Sequence, residues 1–322
     1  MTGTTAPDPA ITTAPSVQAG ASSSASHGAT ILGVEGLSLS PDERACLREA
    51  VGRDAIVMVD QEGGRVQRLR PPHWTDWPAA MDSAADGARA VRLRHRLMGQ
   101  ELRAVGIDAD AAPCLDVADE ATHPFLRNRC FGTDAETVAL MGRAAAEGLL
   151  AAGVLPIVKH MPGHGRTRVD SHHDLPVLDV ALDDLDGSDF APFRALNDLP
   201  LGMTAHIRLT QLDDRPATAS PAVIRLIRER IGFQGLLMSD DIGMNALSGT
   251  PAERAGAAIA AGCDLVLACN LTRAEFAQVV EAAARMSPEA QARADAALAR
   301  RGSPDQADAA DLRSELAALL TG

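Results

Sequence analysis

The chain contains no tyrosine, and its six phenylalanines and two tryptophans amount to only 2% of 322 residues. That scarcity argues against stacking platforms for single-stranded nucleic acid. A formal net charge of -13 further opposes binding to a phosphate backbone. No run of about 18 apolar residues suggests a membrane span. The five cysteines (Cys46, Cys114, Cys130, Cys263, Cys269) include no C-x-x-C pair, so they read as reduced core residues of a cytoplasmic protein. The first 27 residues offer neither the basic start nor the apolar run of a secretory signal. They are low-complexity Thr, Ala, Ser, Pro and Gly, and a disordered tail is expected. Lysine is almost missing: Lys159 is the single one among 30 basic side chains.

What is present is ordinary for a globular protein, with 46% hydrophobic and 23% charged residues. Strand-like apolar runs alternate with helical stretches from end to end. Expected strands cover 29–34, 55–60, 107–117, 154–158, 201–206, 236–241 and 263–269. Expected helices include one from Ser40-Pro41 to about Val51, one over roughly Ala84 to Val105, and one opened by a Thr133/Glu136 capping box and stopped at Gly153. Others start at Ser220-Pro221, at Thr250-Pro251-Glu253 and at Thr272/Glu275. Strand–helix alternation with polar residues at strand C-termini marks a parallel α/β fold. Many strands, no division into halves and no G-x-G-x-x-G after the first strand favour a single-domain TIM-type (β/α) barrel over a dinucleotide-binding sheet. The expected organisation is a tail over 1–27, the barrel over 28–285 and helical segments packed on it over 286–322.

The chemistry concentrates at residues 159–176, K-H-M-P-G-H-G-R-T-R-V-D-S-H-H-D-L-P. Four of nine histidines fall within fourteen residues here. An apolar run ends abruptly in Lys159 and His160, and Pro162, Gly163 and Gly165 forbid a helix, so the chain is expected to leave the strand as a loop that carries both. Such a loop after a strand is where α/β barrels place their chemistry. A lone lysine in an arginine-rich chain suggests a need for a compact ammonium. Gly163 and Gly165 are expected to let the loop base flex. His95 and His123 have no supporting context and read as structural.

Three motifs together, K-H-M-P-G-H-G with D-S-H-H-D-L-P, D-Q-E-G-G-R-V-Q-R upstream and M-S-D-D downstream, resemble those of the family 3 glycoside hydrolases. Within that family they are similar to the bacterial β-N-acetylhexosaminidases of the NagZ type, over about residues 29 to 280. The resemblance implies a barrel enzyme without cofactor or metal that removes terminal N-acetylglucosamine from peptidoglycan-derived muropeptides by a retaining mechanism. It implies Asp240 as nucleophile and a His172–Asp170 dyad as acid/base. It implies sugar binding by Asp60, Arg68, Arg129, Lys159 and His160, with Asp116 and His206 at matching strand ends. A monomer is expected, with no nucleic-acid or membrane partner. The residue types suit the chemistry: a carboxylate attacks the anomeric carbon while an acid protonates the leaving oxygen. Histidine serves as that acid because its pKa lies near neutrality and a neighbouring carboxylate favours the imidazolium.

One departure stands out. The family's apolar strand followed by Arg-Asn, ahead of D-Q-E-G-G, has no counterpart, so seven strands are counted where a closed barrel wants eight. About one β/α unit is expected to be absent near the N-terminus. Two other readings compete with the glycosidase: a catalytically impaired sugar-binding homologue, and a metal-dependent barrel hydrolase using His160, His164, His206 and Asp240. Asp241 competes with Asp240 as the reactive carboxylate.

Overall fold

Apolar runs in this chain are short, so its strands are short as well. The computed structural model describes residues 31–33, 49, 54–168, 174–304 and 306–321. Its strands are β1 (Ile31–Gly33), β2 (Ile56–Val59), β3 (Gln61–Gly63), β4 (Val66–Gln67), β5 (Ala109–Asp110), β6 (Leu155–Met161), β7 (Val177–Leu178), β8 (Leu201–Thr204), β9 (Arg208–Leu209), β10 (Leu236–Asp241) and β11 (Leu265–Leu267). Seven of them form one sheet in the order β1-β2-β5-β6-β8-β10-β11. Every pairing in it is parallel. The seven strands are those expected from the sequence, and among the described residues β1 and β11 lie at the two edges. The architecture is a curled parallel α/β half-barrel.

Period-2 alternation divides the strands between two cores. Ile56 and Met58, Leu155 and Ile157, and Leu236 and Met238 point into the curl. Ala294 and Ala297 of the helix Pro288–Ala299 pack into that same inner cluster. Val158 and Leu237 point outward onto the surrounding helices. A groove of about 910 Å³ runs along β11, lined in part by Met58, Met238, Leu265, Phe276 and Val280.

Several boundaries differ from those expected, each for a local reason. The expected helix over 84–105 is two helices, Ala80–Ala84 and Gly87–Ala104. They break at Gly87, which takes a left-handed φ of 84°. The helix Ala135–Ala151 is capped by Asp134, not by a Thr133 box, and the Asp134 side chain accepts from Thr137 N. The strand expected over 107–117 shrinks to Ala109–Asp110 plus an isolated bridge between Cys114 and Lys159. The capping boxes at Thr250/Glu253 and Thr272/Glu275 are both formed, and Gly232 and Gly262 end their helices in the left-handed region. The expected helix from Pro41 to Val51 lies outside the described residues, apart from Glu49 in helical conformation.

Candidate active site

The strand C-termini converge on one mouth. β6 runs on through Lys159 and His160 to Met161, so both side chains stand on a strand and not, as expected, on the loop that follows it. The bridge to Cys114, with Leu115 N donating to Lys159 O at 2.7 Å, extends the pairing far enough to hold them there.

Lys159 is buried, with its Nζ 2.8 Å from Asp60 Oδ1 and 2.6 Å from Glu62 Oε1. Arg129 grips the same glutamate with both prongs, Nε to Oε2 at 2.9 Å and Nη2 to Oε1 at 2.8 Å. Burial alone would push the Glu62 carboxyl up; the Arg129 and Lys159 charges outweigh it and hold the group far below the usual carboxylate range. Burial likewise disfavours the Lys159 ammonium, but Asp60 and Glu62 drive its pKa above the ordinary lysine value. Asp60 also pairs with Arg68 at 3.6 Å, and these two side chains remain about one third exposed at 35% and 34%. They are the open end of the network; Lys159, Glu62 and Arg129 are its buried base. Asp110, completely buried, has one oxygen on Gln61 N at 2.9 Å and the other without a hydrogen-bond partner. Burial pushes its carboxyl well above the usual range.

A second group sits beside the first. His160 Nδ1 donates to Asp116 Oδ2 at 2.7 Å, which leaves Nε2 facing Arg129 Nη2 at 3.4 Å. Asp116 is fully buried and also accepts from His164 N at 2.7 Å. Burial raises its pKa, yet His160, His164 and the amide bond bring the carboxyl down to about 2. His164 is buried with neither ring nitrogen hydrogen-bonded. Burial lowers its pKa to about 4, and Asp116 opposes that fall.

β10 delivers the paired aspartates. The Asp240 carboxylate accepts from Asp241 N at 2.8 Å. Burial disfavours its charge, but His206, His160, the amide bond and Lys159 lower its pKa below the ordinary value. Asp241 moves the other way, raised mainly by burial. Its Oδ1 is occupied by Gly243 N and Cys269 N, both at 2.8 Å. His206 just past β8 fixes this corner. Its Nε2 donates to Asp241 O at 2.9 Å, and its Nδ1 bonds Thr218 Oγ1 at 2.8 Å.

The structure therefore brings Asp60, Arg68, Arg129, Lys159, His160, Asp116, His206 and Asp240 to one mouth. Asp170 and His172 lie outside the described residues. Glu62, the hub of the base, has no role among those expected from the sequence. The signal is nonetheless there: two residues after Asp60 in a strand run, it shares that residue's side. Gly163 and Gly165, expected to form a flexible base, are packed closely. A Cβ on Gly163 would lie 2.8 Å from Asp189 Cβ, and one on Gly165 would lie 1.9 Å from Val117 O. His95 and His123 are structural as expected, the first bonded to Val91 O and the second capping the helix Pro124–Arg127. The metal set His160, His164, His206 and Asp240 does not gather. Among the described residues the one grouping close enough for a metal is Cys114, Asp116 and His160.

Comparison with known proteins identifies the family. The Glycosyl hydrolase family 3 N terminal domain matches residues 39–301. A beta-hexosaminidase of Bordetella avium is 38% identical over 236 residues, 70% of this chain and 67% of that protein. For the Bordetella parapertussis beta-hexosaminidase the matched stretch is 64% of the relative's length at 40% identity. The Methylococcus capsulatus beta-hexosaminidase is 39% identical over 254 residues, 76% of this chain and 75% of its own. Among solved structures, a family 3 beta-N-acetylglucosaminidase from Paenibacillus superposes with a TM-score of 0.78 at 30% identity, over 89% of this chain and 62% of that one. NagZ from Neisseria gonorrhoeae in complex with N-trifluoroacetyl-D-glucosamine gives a TM-score of 0.76 at 27% identity, over 91% and 98%. With this family match over most of its length and these relatives, the chain belongs to glycosyl hydrolase family 3.

Proposed function

We propose that this protein is a retaining exo-β-N-acetylglucosaminidase that removes terminal N-acetylglucosamine from muropeptides in cytoplasmic cell-wall recycling. The observation that carries the reading is the split between the two aspartates ending β10. Paired carboxyls whose environments push their pKa values apart mark a division of roles. Asp240, with a lowered pKa, is the nucleophile that attacks the anomeric carbon to give a glycosyl-enzyme. Asp241 spends Oδ1 on two backbone amides and shapes the turn. Asp60 and Arg68, at the open end of the ion network, take sugar hydroxyls, while Lys159, Glu62 and Arg129 hold them in place. His160, aligned by Asp116, offers Nε2 to the sugar. His172, charged and held by Asp170, protonates the leaving oxygen and later activates water.

The names of the relatives support the N-acetylglucosamine specificity. The seven sheet strands among the described residues support our reading that one β/α unit of the complete barrel is absent near the N-terminus. We retain the division into a tail over 1–27, a barrel over 28–285 and packed helices over 286–322, and a monomeric enzyme. No helix among the described residues is long and apolar enough to cross a membrane. The test is hydrolysis of 4-nitrophenyl N-acetyl-β-D-glucosaminide followed by NMR of the first-formed sugar. The β-anomer is expected. An α-anomer would overturn retention, and no turnover would leave a sugar-binding homologue.

A further inference from the structure

Beneath the sugar site lies a cluster that the proposed reaction does not use as a whole. Cys114 Sγ donates to Asp116 Oδ2 at 3.2 Å, and His160 Nδ1 donates to the same oxygen at 2.7 Å. The three donor atoms all lie within 4.8 Å of one another, and all three residues are buried. Two backbone connections hold them: Cys114 and Asp116 share one short segment, and Cys114 is bridged to Lys159, next to His160.

We propose that Cys114 Sγ, Asp116 Oδ2 and His160 Nδ1 form a site for a borderline-soft divalent cation of the zinc class, and that its occupation inhibits the sugar site. One sulfur, one imidazole nitrogen and one carboxylate oxygen suit zinc in a tetrahedral arrangement. Zinc bonds of about 2.0–2.3 Å put tetrahedral donors about 3.3–3.7 Å apart. The present contacts of 3.2 and 2.7 Å therefore have to open by only a few tenths of an ångström to about 1 Å.

A second, independent observation comes from His164. Its ring centroid is 5.5 Å from that of His160, its backbone N–H already holds Asp116, and both of its ring nitrogens are buried without a partner. It stands beside the three donors on the adjoining loop, outside the 4.8 Å grouping that they share. Charge balances too. The metal displaces the thiol proton, and the Nδ1 proton moves to Nε2 so that His160 binds as a neutral imidazole; one thiolate and one carboxylate then neutralise the divalent ion, as a buried site requires. Binding would cost the enzyme the Nδ1–H bond that aims His160, and with it the orientation of Nε2 toward Arg129. The ion would thus act on sugar binding from below, without touching Asp240.

The test uses the full chain and two metals. Cadmium should produce a thiolate-to-metal charge-transfer band in the ultraviolet, and zinc should inhibit hydrolysis of the nitrophenyl substrate. Cys114→Ser should abolish the cadmium band and weaken zinc inhibition by at least about tenfold, since it removes a direct ligand. Cys263→Ser, in a different core cluster, should leave both as in the parent. Zinc inhibition that persists unchanged in Cys114→Ser belongs to some other site and overturns the proposal. So does a parent that shows no cadmium band. Should Cys114→Ser fail to fold, the cadmium-113 resonance of the loaded parent decides: a shift typical of one sulfur with nitrogen and oxygen donors is required, and a sulfur-free shift rejects the site. The band and the resonance report binding even if the enzyme proves to have no glycosidase activity.

Discussion

Lys159 Nζ and Glu62 Oε1 meet at 2.6 Å with both side chains at most 5% exposed. Arg129 closes on the other side of the same carboxylate with two bonds. A charge buried this deeply is tolerated only while its partners stay in place. Glu62→Gln should therefore destabilise the fold by about 3–5 kcal/mol, because two cations lose their common anion. Lys159→Met should cost less, since Arg129 still satisfies Glu62. Urea denaturation of the single and double variants measures this. Strictly additive losses would mean that the two residues do not interact.

The two aspartates at the end of β10 make separable predictions. Asp240→Ala should remove nearly all turnover while sugar binding stays measurable, and a 2-fluoro sugar should trap an adduct on Asp240. Asp241→Asn should act mainly on the turn. Its Oδ1 holds Gly243 N and Cys269 N, so lowered thermal stability with residual turnover is expected. An adduct found on Asp241 by mass spectrometry would reverse the two roles.

Much of the fold is legible in the order of the amino acids. The alternation of apolar runs predicts the seven parallel strands, and Thr250-Pro251-Glu253 with Gly262 marks both ends of a helix by local chemistry alone. What escapes a sequence depends on tertiary contact. That β6 continues through Lys159 and His160 follows from the bridge to Cys114, a residue 45 positions away along the chain. Glu62 can be placed on the side of Asp60 from its spacing, but it becomes a hub only when Lys159 and Arg129 arrive from two other elements. The glycines after β6 look like hinges because sequence cannot show Val117 O pressing on Gly165. Asp110 shows the same limit: its burial, and hence its raised pKa, is set by the strands on either side.

His95 predicts an acid-side loss of stability. Burial lowers its pKa from 6.5 to about 4; the Val91 carbonyl bond opposes that shift and the neighbouring Arg94 charge adds to it. Between those two values the unfolded chain binds a proton that the folded chain refuses. The sign is then fixed: stability rises with pH through this window and is lost as pH falls from 6.5 toward 4. Chemical denaturation at several pH values should show the slope. His95→Gln should reduce it over that range while lowering stability overall, the remainder coming from His164, whose pKa burial also lowers to about 4; an unchanged slope would remove His95 as a cause.

The acid/base assignment rests on Asp170 and His172, two residues apart in the D-S-H motif. If His172 protonates the glycosidic oxygen, its loss should matter in proportion to how badly the leaving group needs a proton. A nitrophenolate departs almost unaided, whereas a sugar alkoxide does not. His172→Ala should therefore slow a disaccharide or muropeptide substrate far more than the nitrophenyl glycoside. Asp170→Asn should give a weaker version of the same pattern, because the imidazolium loses the carboxylate that favours its charge. The measurement is kcat/KM for a series of aryl and alkyl N-acetylglucosaminides with each variant, plotted against leaving-group pKa. A steeper dependence than in the parent is expected for both. Equal slowing of every substrate would mean that His172 positions the sugar and does not donate the proton, and the dyad would have to be abandoned.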